Sequence, residues 1–422
     1  MNDVLEKIIE HTKPYDESEV IAEIFGASYL KVKDGSIPVV LFCAGASGKI
    51  LAPLFARHNI NPICFCDNDA SRAGKLYCDL PIISFEELKV RHKKSLIIIA
   101  SAAYQRFIKT QLLENGFDEE LIIPLDAEDS TFDSTLRRER VMMLARNGEP
   151  PSLLRELRKN EEKLVSAYNL LTDDKSREIF IRRLALVASS FEYESYKAYL
   201  SEFSEPILKL GYDNPDRFNY GGNYFYFNND VLRLDDGEIF VDGGAYNGDS
   251  AEAFIKACKN NQIKFKQIHC FEPDAKNYRE LTRNMAKYGN VFCSQAGLWS
   301  HTTTLRFVSS AQTDSYCARI QEVGDAFTGS ADIEIDTAGI DSHFNGAKIT
   351  LVKMDIEGAE LEALKGAANS IRAFAPKLVI SIYHKVSDLY EIPVLLHRYR
   401  PDYKLSLRHL GNYFDDTVLF AT

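Results

Sequence analysis

The segment Asp242-Gly243-Gly244-Ala245-Tyr246-Asn247-Gly248-Asp249 holds the densest chemistry in the chain. It follows an apolar run that reads as a strand and precedes a run that reads as a helix. It is therefore a glycine-rich turn where a ligand can approach the backbone closely. Asp249 and Glu252 have the spacing of a capping box for that helix. A second strand-like run leads to Glu272-Pro273-Asp274. Glu272 lies 24 positions beyond Gly248, where an acidic side chain would accept both ribose hydroxyls of a nucleoside. A third run, ending at Met354, is followed by Asp355-Ile356-Glu357-Gly358-Ala359-Glu360. Asp355 sits at the carboxyl end of its strand, the edge where open α/β sheets bind ligands. Glu360, Glu362 and Lys365 read as solvated helix-face charges.

Charge narrows the ligand. A dinucleotide lays its pyrophosphate on the helix N-terminus after such a turn. Asp242 and Asp249 flank this turn, and both would repel a phosphate. A sulfonium with an ammonium group would be favoured, which describes S-adenosylmethionine. The alternatives are NAD, or a tight turn with no ligand, which Glu272 makes less apt. For methyl transfer to an alcohol, a base should withdraw the hydroxyl proton. His384 follows a strand on the ligand-binding edge and can titrate near neutrality, so it is the first candidate. A surface histidine is the alternative. Asp355 and Glu357 are the next candidates, as base or acceptor clamp. They could hold magnesium, but two carboxylates lack a clear third ligand, so no metal is expected. The aromatic run Tyr224-Phe225-Tyr226-Phe227 reads as core before site.

A second turn, Cys43-Ala44-Gly45-Ala46-Ser47-Gly48-Lys49, departs from GxGxxG at its first position. It carries no acid, so Gly45, Ser47 and Gly48 would tolerate a phosphate. Asp67 lies 19 positions past Gly48, as a ribose-binding acid would. The ligand readings there are a nucleotide, a nucleotide-sugar or NAD. A module that binds nothing, or only pairs subunits, is the alternative.

Periodicity supplies the elements that must position these groups. Residues 1–35 read as a helical lead-in, and from 37 to 124 short apolar runs alternate with helical ones. Charged amphipathic helices are expected at 135–146, 152–171 and 176–189, broken by Gly148-Glu149-Pro150-Pro151. From 223 the alternation returns, with a single helix expected at 359–374. Runs at 404–408 and 417–420, joined through Gly411-Asn412, read as a closing antiparallel hairpin. The expected organisation is a Rossmann-like domain at 1–127, a helical connector at 128–222 and a second doubly wound α/β domain at 223–422.

The turn at Asp242, the Glu272-Pro273 pair and above all Lys353-Met354-Asp355-Ile356-Glu357-Gly358-Ala359-Glu360 resemble the FkbM family of S-adenosylmethionine-dependent methyltransferases. So does the tail Ile382-Tyr383-His384-Lys385, with Asp388-Leu389 and Ile392-Pro393. The resemblance spans roughly residues 223–422. It implies a class I methyltransferase fold and transfer to oxygen, usually a hydroxyl of a sugar, glycan or natural product. It implies that Asp242, Gly244 and Gly248 line the methionine and ribose pocket, together with Gly243, Ala245, Tyr246, Asn247 and Asp249. Glu272, beside Pro273, would hold the ribose, and Gln295 and Ala296 would lie near the adenine. The family often closes on Glu-Thr, whereas this chain has Asp416-Thr417. More weakly, residues 39–124 are similar to nucleotide-binding N-terminal domains of sugar-modifying enzymes.

Composition sets outer bounds. The chain has 422 residues, enough for two or three domains. Fifty basic against 61 acidic residues give a net charge of -11, which disfavours a general nucleic-acid binder or an anionic membrane surface. Met1 to Glu10 does not read as a signal peptide, and no apolar stretch has the length of a membrane span. Eight scattered cysteines without a CxxC pair suggest reduced thiols in a cytoplasm. The expected partners are a small-molecule or carbohydrate acceptor and a second copy of the chain. The competing functions are an NAD- or nucleotide-sugar-binding oxidoreductase-like protein and a non-enzymatic scaffold of Rossmann modules.

Overall fold

The computed structural model describes residues 3–13, 17–101, 104–124, 150–189, 191–204, 223–308, 319–321, 332–411 and 416–422. The chain forms two compact units. One comprises Met1–Thr12, Arg155–Val187 and Tyr196–Thr422; the other comprises Lys13–Leu154 and Ala188–Ser195.

The smaller unit is built on β1 (Val39–Phe42), β2 (Cys64–Asp67), β3 (Leu76–Tyr77), β4 (Leu80–Ser84), β5 (Leu96–Ile99) and β6 (Ile122–Pro124). Their order is β3-β4-β2-β1-β5-β6. Only the β3–β4 pair is antiparallel. The runs VVLF and LIII are wholly buried, because a parallel sheet is covered on both faces. One set of side chains packs with Leu51, Leu54 and Phe55 of helix Ala46–Arg57. The other packs with Leu88, Ile108 and Leu112.

The larger unit carries β7 (Ile239–Gly243), β8 (Gln267–Phe271), β9 (Val291–Ser294), β10 (Gly297–Leu298), β11 (Thr304–Val308), β12 (Arg319–Gln321), β13 (Asp332–Ala338), β14 (Leu351–Met354), β15 (Lys377–Ser381), β16 (Leu405–His409) and β17 (Thr417–Ala421). Seven of them form a sheet in the order β9-β8-β7-β14-β15-β17-β16. β17 runs antiparallel to both β15 and β16, and the other pairs are parallel. This is the doubly wound sheet with a terminal hairpin expected of a class I methyltransferase fold. A separate four-stranded sheet, β10-β13-β11-β12, is built from the chain between β9 and β14.

Helices Glu161–Leu170 and Asp174–Ala188 belong with this sheet. Leu171 bridges to Leu405, and Thr172 N–H donates to the Leu405 carbonyl at 2.8 Å. The buried Arg408 guanidinium binds both Asp173 and Asp230. The segment thereby covers the β16 edge, which would otherwise expose unpaired backbone groups. The helix expected at 152–171 is two, Pro150–Lys159 and Glu161–Leu170, interrupted at Asn160, whose amide folds back onto the Glu156 carbonyl. The one expected at 359–374 is also two, Glu360–Lys365 and Ala368–Phe374. The helix expected at 135–146 and most of the turn after Gly411 lie outside the described residues. No described helix is long and apolar enough to cross a membrane.

Candidate active site

Strand order reverses between β8-β7 and β14-β15, so the carboxyl ends of β7 and β14 form the switch point beside which open α/β sheets place a ligand crevice. The turns after these two strands touch. Gly244 has φ +70°, and a Cβ there would lie 1.9 Å from the Asp355 carbonyl oxygen. Glycine at 244 is thus demanded by protein backbone before any ligand arrives. Gly244 and Ala245 donate their N–H groups to the Phe271 carbonyl at 3.1 and 3.0 Å, tying the turn to β8. Tyr246 adopts φ +47° and donates its N–H to Glu272 Oε2 at 2.9 Å.

Glu272 Oε1 accepts from Asp274 N–H at 2.9 Å. The acid therefore braces the turn while its remaining lone pairs can serve a ligand. Burial pushes its carboxyl up to about 7, against these two amide bonds. Pro273 is half-buried beside it, Gln295 is exposed and Ala296 is half-buried just after β9. The capping box does not form. Gly248 itself caps helix Asp249–Asn260 in the left-handed region. Asp249 accepts from Ser250 N–H at 2.7 Å, and Glu252 pairs with Lys287 at 2.7 Å. The Asn247 carbonyl accepts from Asn284 at 2.8 Å.

Asp242 changes the electrostatic picture. Its carboxylate is fully buried, accepts from Ser250 Oγ at 2.5 Å and lies 3.3 Å from Lys353 Nζ. Lys353 is buried too, and donates to the Gly243 and Gly244 carbonyls at 3.2 and 2.9 Å. Burial raises the Asp242 carboxyl, against the pull of Lys353. Burial also works against the Lys353 ammonium, but Asp242, Asp355 and Asp249 outweigh it and hold its pKa above the ordinary value. Of the two carboxylates expected to wall the turn, Asp242 is neutralised as an ion pair and Asp249 remains at the helix start.

Across the crevice, Asp355 accepts from Tyr226 Oη at 3.1 Å and from Tyr383 Oη at 3.0 Å. Burial opposes its charge, but His384, Lys353 and the tyrosine hydroxyls keep its pKa below the usual value. Tyr226, which reads as core in the sequence, therefore reaches the site. Tyr383 enters the sequence reading only as part of the tail Ile382-Tyr383-His384-Lys385. Glu357 follows with φ +57°, a conformation a non-glycine residue seldom holds unless its surroundings enforce it.

His384 Nε2 lies 3.5 Å from Asp355 Oδ1 and 3.6 Å from Glu357 Oε2, and Nδ1 lies 3.0 Å from Glu360 Oε1. Burial alone would discharge the ring, yet Glu360, Glu357 and Asp355 raise its pKa to about 10. At neutral pH it is an imidazolium, without a lone pair for a proton. The base role expected of it does not fit this state. Glu360 is also corrected: it is fully buried, not solvated, and accepts from Ile356 N–H at 2.9 Å. Glu362 and Lys365 do pair with one another at the surface.

In the smaller unit, Asp67 accepts from Ala44 N–H and from Arg72, both at 3.0 Å. Arg72 also donates to the Ala44 carbonyl at 2.6 Å, and Tyr77 Oη donates to the Gly45 carbonyl. Cys43 holds φ +83° where a first glycine would stand. A Cβ on Gly48 would meet the Phe65 ring at 2.6 Å, so this glycine serves helix–strand packing. Ser47, half-buried, lies in the first turn of helix Ala46–Arg57.

Residues 242–403 match the family model described as the methyltransferase FkbM domain. The structure of methyltransferase FkbM from Methylobacillus flagellatus KT resembles the chain over 100% of its length and 99% of that protein, at 22% identity and a TM-score of 0.55. Aeropyrum pernix fibrillarin, solved with natively bound S-adenosyl-L-methionine, aligns over 45% of this chain and 69% of its own, at 10% identity and a TM-score of 0.28. An rRNA methylase from Streptococcus thermophilus aligns over 50% of this chain and 96% of its own, at 13% identity and a TM-score of 0.27. No curated protein matches the chain significantly. The domain match over 242–403, on a sheet of this order, classes the chain as an S-adenosylmethionine-dependent methyltransferase.

Proposed function

We propose that the chain transfers the methyl group of S-adenosylmethionine to a hydroxyl oxygen of a sugar, glycan or related small molecule. The observation that carries this reading is the carboxylate pair Asp355 and Glu357 at the mouth of the crevice, with side chains 26% and 32% exposed. Carboxylates at that depth accept hydrogen bonds from an incoming alcohol and can take its proton as the oxygen attacks the methyl carbon in line with the departing sulfur. Glu357 is the preferred base, because its side chain is the more open of the two. His384, as a cation, favours the ionised form of Asp355. The donor would lie along the 242–249 turn, with Glu272 on the ribose and Gln295 and Ala296 beside the adenine. A nucleotide or nucleotide-sugar site in the smaller unit belongs to the same reading, with Gly45, Ser47 and the Arg72 guanidinium beside its turn.

S-adenosylmethionine at about 100 times its Kd should stabilise the native state by about 2.7 kcal/mol. For a unit of this size that raises Tm by about 5–10 °C. Labelled methyl should then appear in an ether on a hydroxylated saccharide. Stabilisation by NAD and none by S-adenosylmethionine would sink the reading.

Glu272 adds a pH dependence. Its carboxyl titrates near 7 in the free protein, and its ionised form is the better ribose acceptor. A folded pKa above the ordinary value means that this group's contribution to stability is complete below about pH 4.5 and is lost as pH rises through about 7. Donor binding works the other way, since it favours the ionised form. S-adenosylmethionine affinity should therefore weaken about tenfold from about pH 8 to about pH 6, and Glu272→Gln should flatten that profile. Calorimetry showing the same slope in both proteins would remove Glu272 from the ribose.

A further inference from the structure

His384 stands in a cluster of acidic side chains. Asp355, Glu357 and Glu360 all face its ring. Asp388, only 1% exposed, is close enough to Glu360 and His384 to feel both of them. Two of these acids also hold oxygen atoms that are sealed from solvent and lack a hydrogen-bond partner: Glu360 Oε2 and Asp388 Oδ2. A buried carboxyl oxygen facing no partner is costly, and such an orphan in a native fold is a place for an ion or a water. One atom each from Asp355, Glu360 and His384 lies within 4.8 Å of the others, so a single ion can touch all three. The 3.5 Å edge between His384 Nε2 and Asp355 Oδ1 suits two ligands about 2.0–2.2 Å from one cation.

We propose that Asp355, Glu360 and His384 hold one divalent cation of the zinc or manganese class. An imidazole nitrogen with two carboxylate oxygens is a donor set for such metals rather than for calcium. On binding, the cation takes the lone pair of one ring nitrogen of His384, and any proton held there leaves to solvent. It also gives the orphaned Glu360 oxygen a partner. The partly open Asp355 and Glu357 side chains provide the way in. The role of the ion rests on the methyltransferase reading: it would orient the acceptor hydroxyl and make it more acidic, while Glu357 takes the proton. Its presence does not rest on that reading.

The test uses full-length protein stripped with a chelator and titrated with Mn2+ alone. Calorimetry should give one saturable site, and pulsed electron paramagnetic resonance should show a directly bound imidazole nitrogen. His384→Gln should abolish the nitrogen signal, and Glu360→Gln should weaken binding by about 10–100-fold. If either variant fails to fold, the nitrogen signal of the wild-type protein decides alone. No saturable Mn2+ binding, binding without a nitrogen signal, or undiminished binding in both variants would overturn the proposal. S-adenosylhomocysteine is titrated into the same samples. Metal binding without nucleoside binding would defeat the methyltransferase reading of the crevice and leave the metal site standing. The reverse result would defeat only the metal site.

Discussion

Lys353→Met should lower the free energy of unfolding by about 3–5 kcal/mol, because it strands the Asp242 carboxylate in the core. Both side chains are almost sealed, at 3% and 0% exposure. The lysine answers three acceptors at once: the Asp242 carboxylate and the Gly243 and Gly244 carbonyls. A methionine fills a similar volume and restores none of these bonds. Asp242 would then keep only Ser250 and would be driven further toward the protonated form, which steepens the pH dependence this group already gives the parent. Asp242→Asn combined with Lys353→Met removes both charges, and should recover part of the loss, since a neutral pair of similar volume avoids the unpaired buried ion. Denaturant midpoints for the four proteins of this cycle measure the coupling. A single-variant loss below about 1 kcal/mol would mean that the ammonium contributes no more than an exposed pair does.

The same pair shows where the sequence stops being legible. Short apolar runs bounded by turn residues located nearly every strand of the two large sheets, because burial on both faces leaves no choice of residue type. The crevice was legible for the same reason: Asp242, Glu272 and Asp355 stand where apolar runs end. What one acid does once there depends on partners more than a hundred positions away. Lys353 lies inside an apolar run and has no one-dimensional signature as the counter-ion of Asp242. Glu360 follows the spacing of an exposed helix face, but the chain turns so that this face meets His384. That contact makes a cation of the histidine, which by its type alone stands as a base. The sheet containing β12 and β13 was missed although β13, Asp332–Ala338, alternates polar and apolar residues, because its partner β11 lies far back in the chain. Helix breaks at Asn160 and after Lys365 were missed because apolar spacing continues through both.

Gly244→Ala is the other severe substitution, and it separates two reasons for a glycine in this turn. One is to let a ligand approach, which predicts intact folding and lost binding. The other is the approach of protein to protein, which the geometry favours. The added methyl group would stand 1.9 Å from the Asp355 carbonyl oxygen and 2.9 Å from its carbon, and at φ +70° an L-residue is strained even in open space. Neither atom can yield as a flexible side chain would, because Asp355 N–H is itself held by the Gly243 carbonyl at 3.2 Å. The turns after β7 and β14 must therefore separate, pulling Tyr246 from Glu272 and the Asp355 carboxylate from its two tyrosines. A loss of about 4 kcal/mol or more is expected, in the range reserved for overpacked cores and strained backbone. S-adenosylmethionine affinity should fall with it. Gly243→Ala is the internal comparison: its methyl group would press chiefly on the movable end of Leu298, at 2.6 Å, and should cost less. Unfolding curves in which Gly244→Ala matches the parent while binding is lost would restore the ligand-approach explanation. Equal losses at 243 and 244 would show that the contact with Asp355 is not the constraint that shapes this crevice.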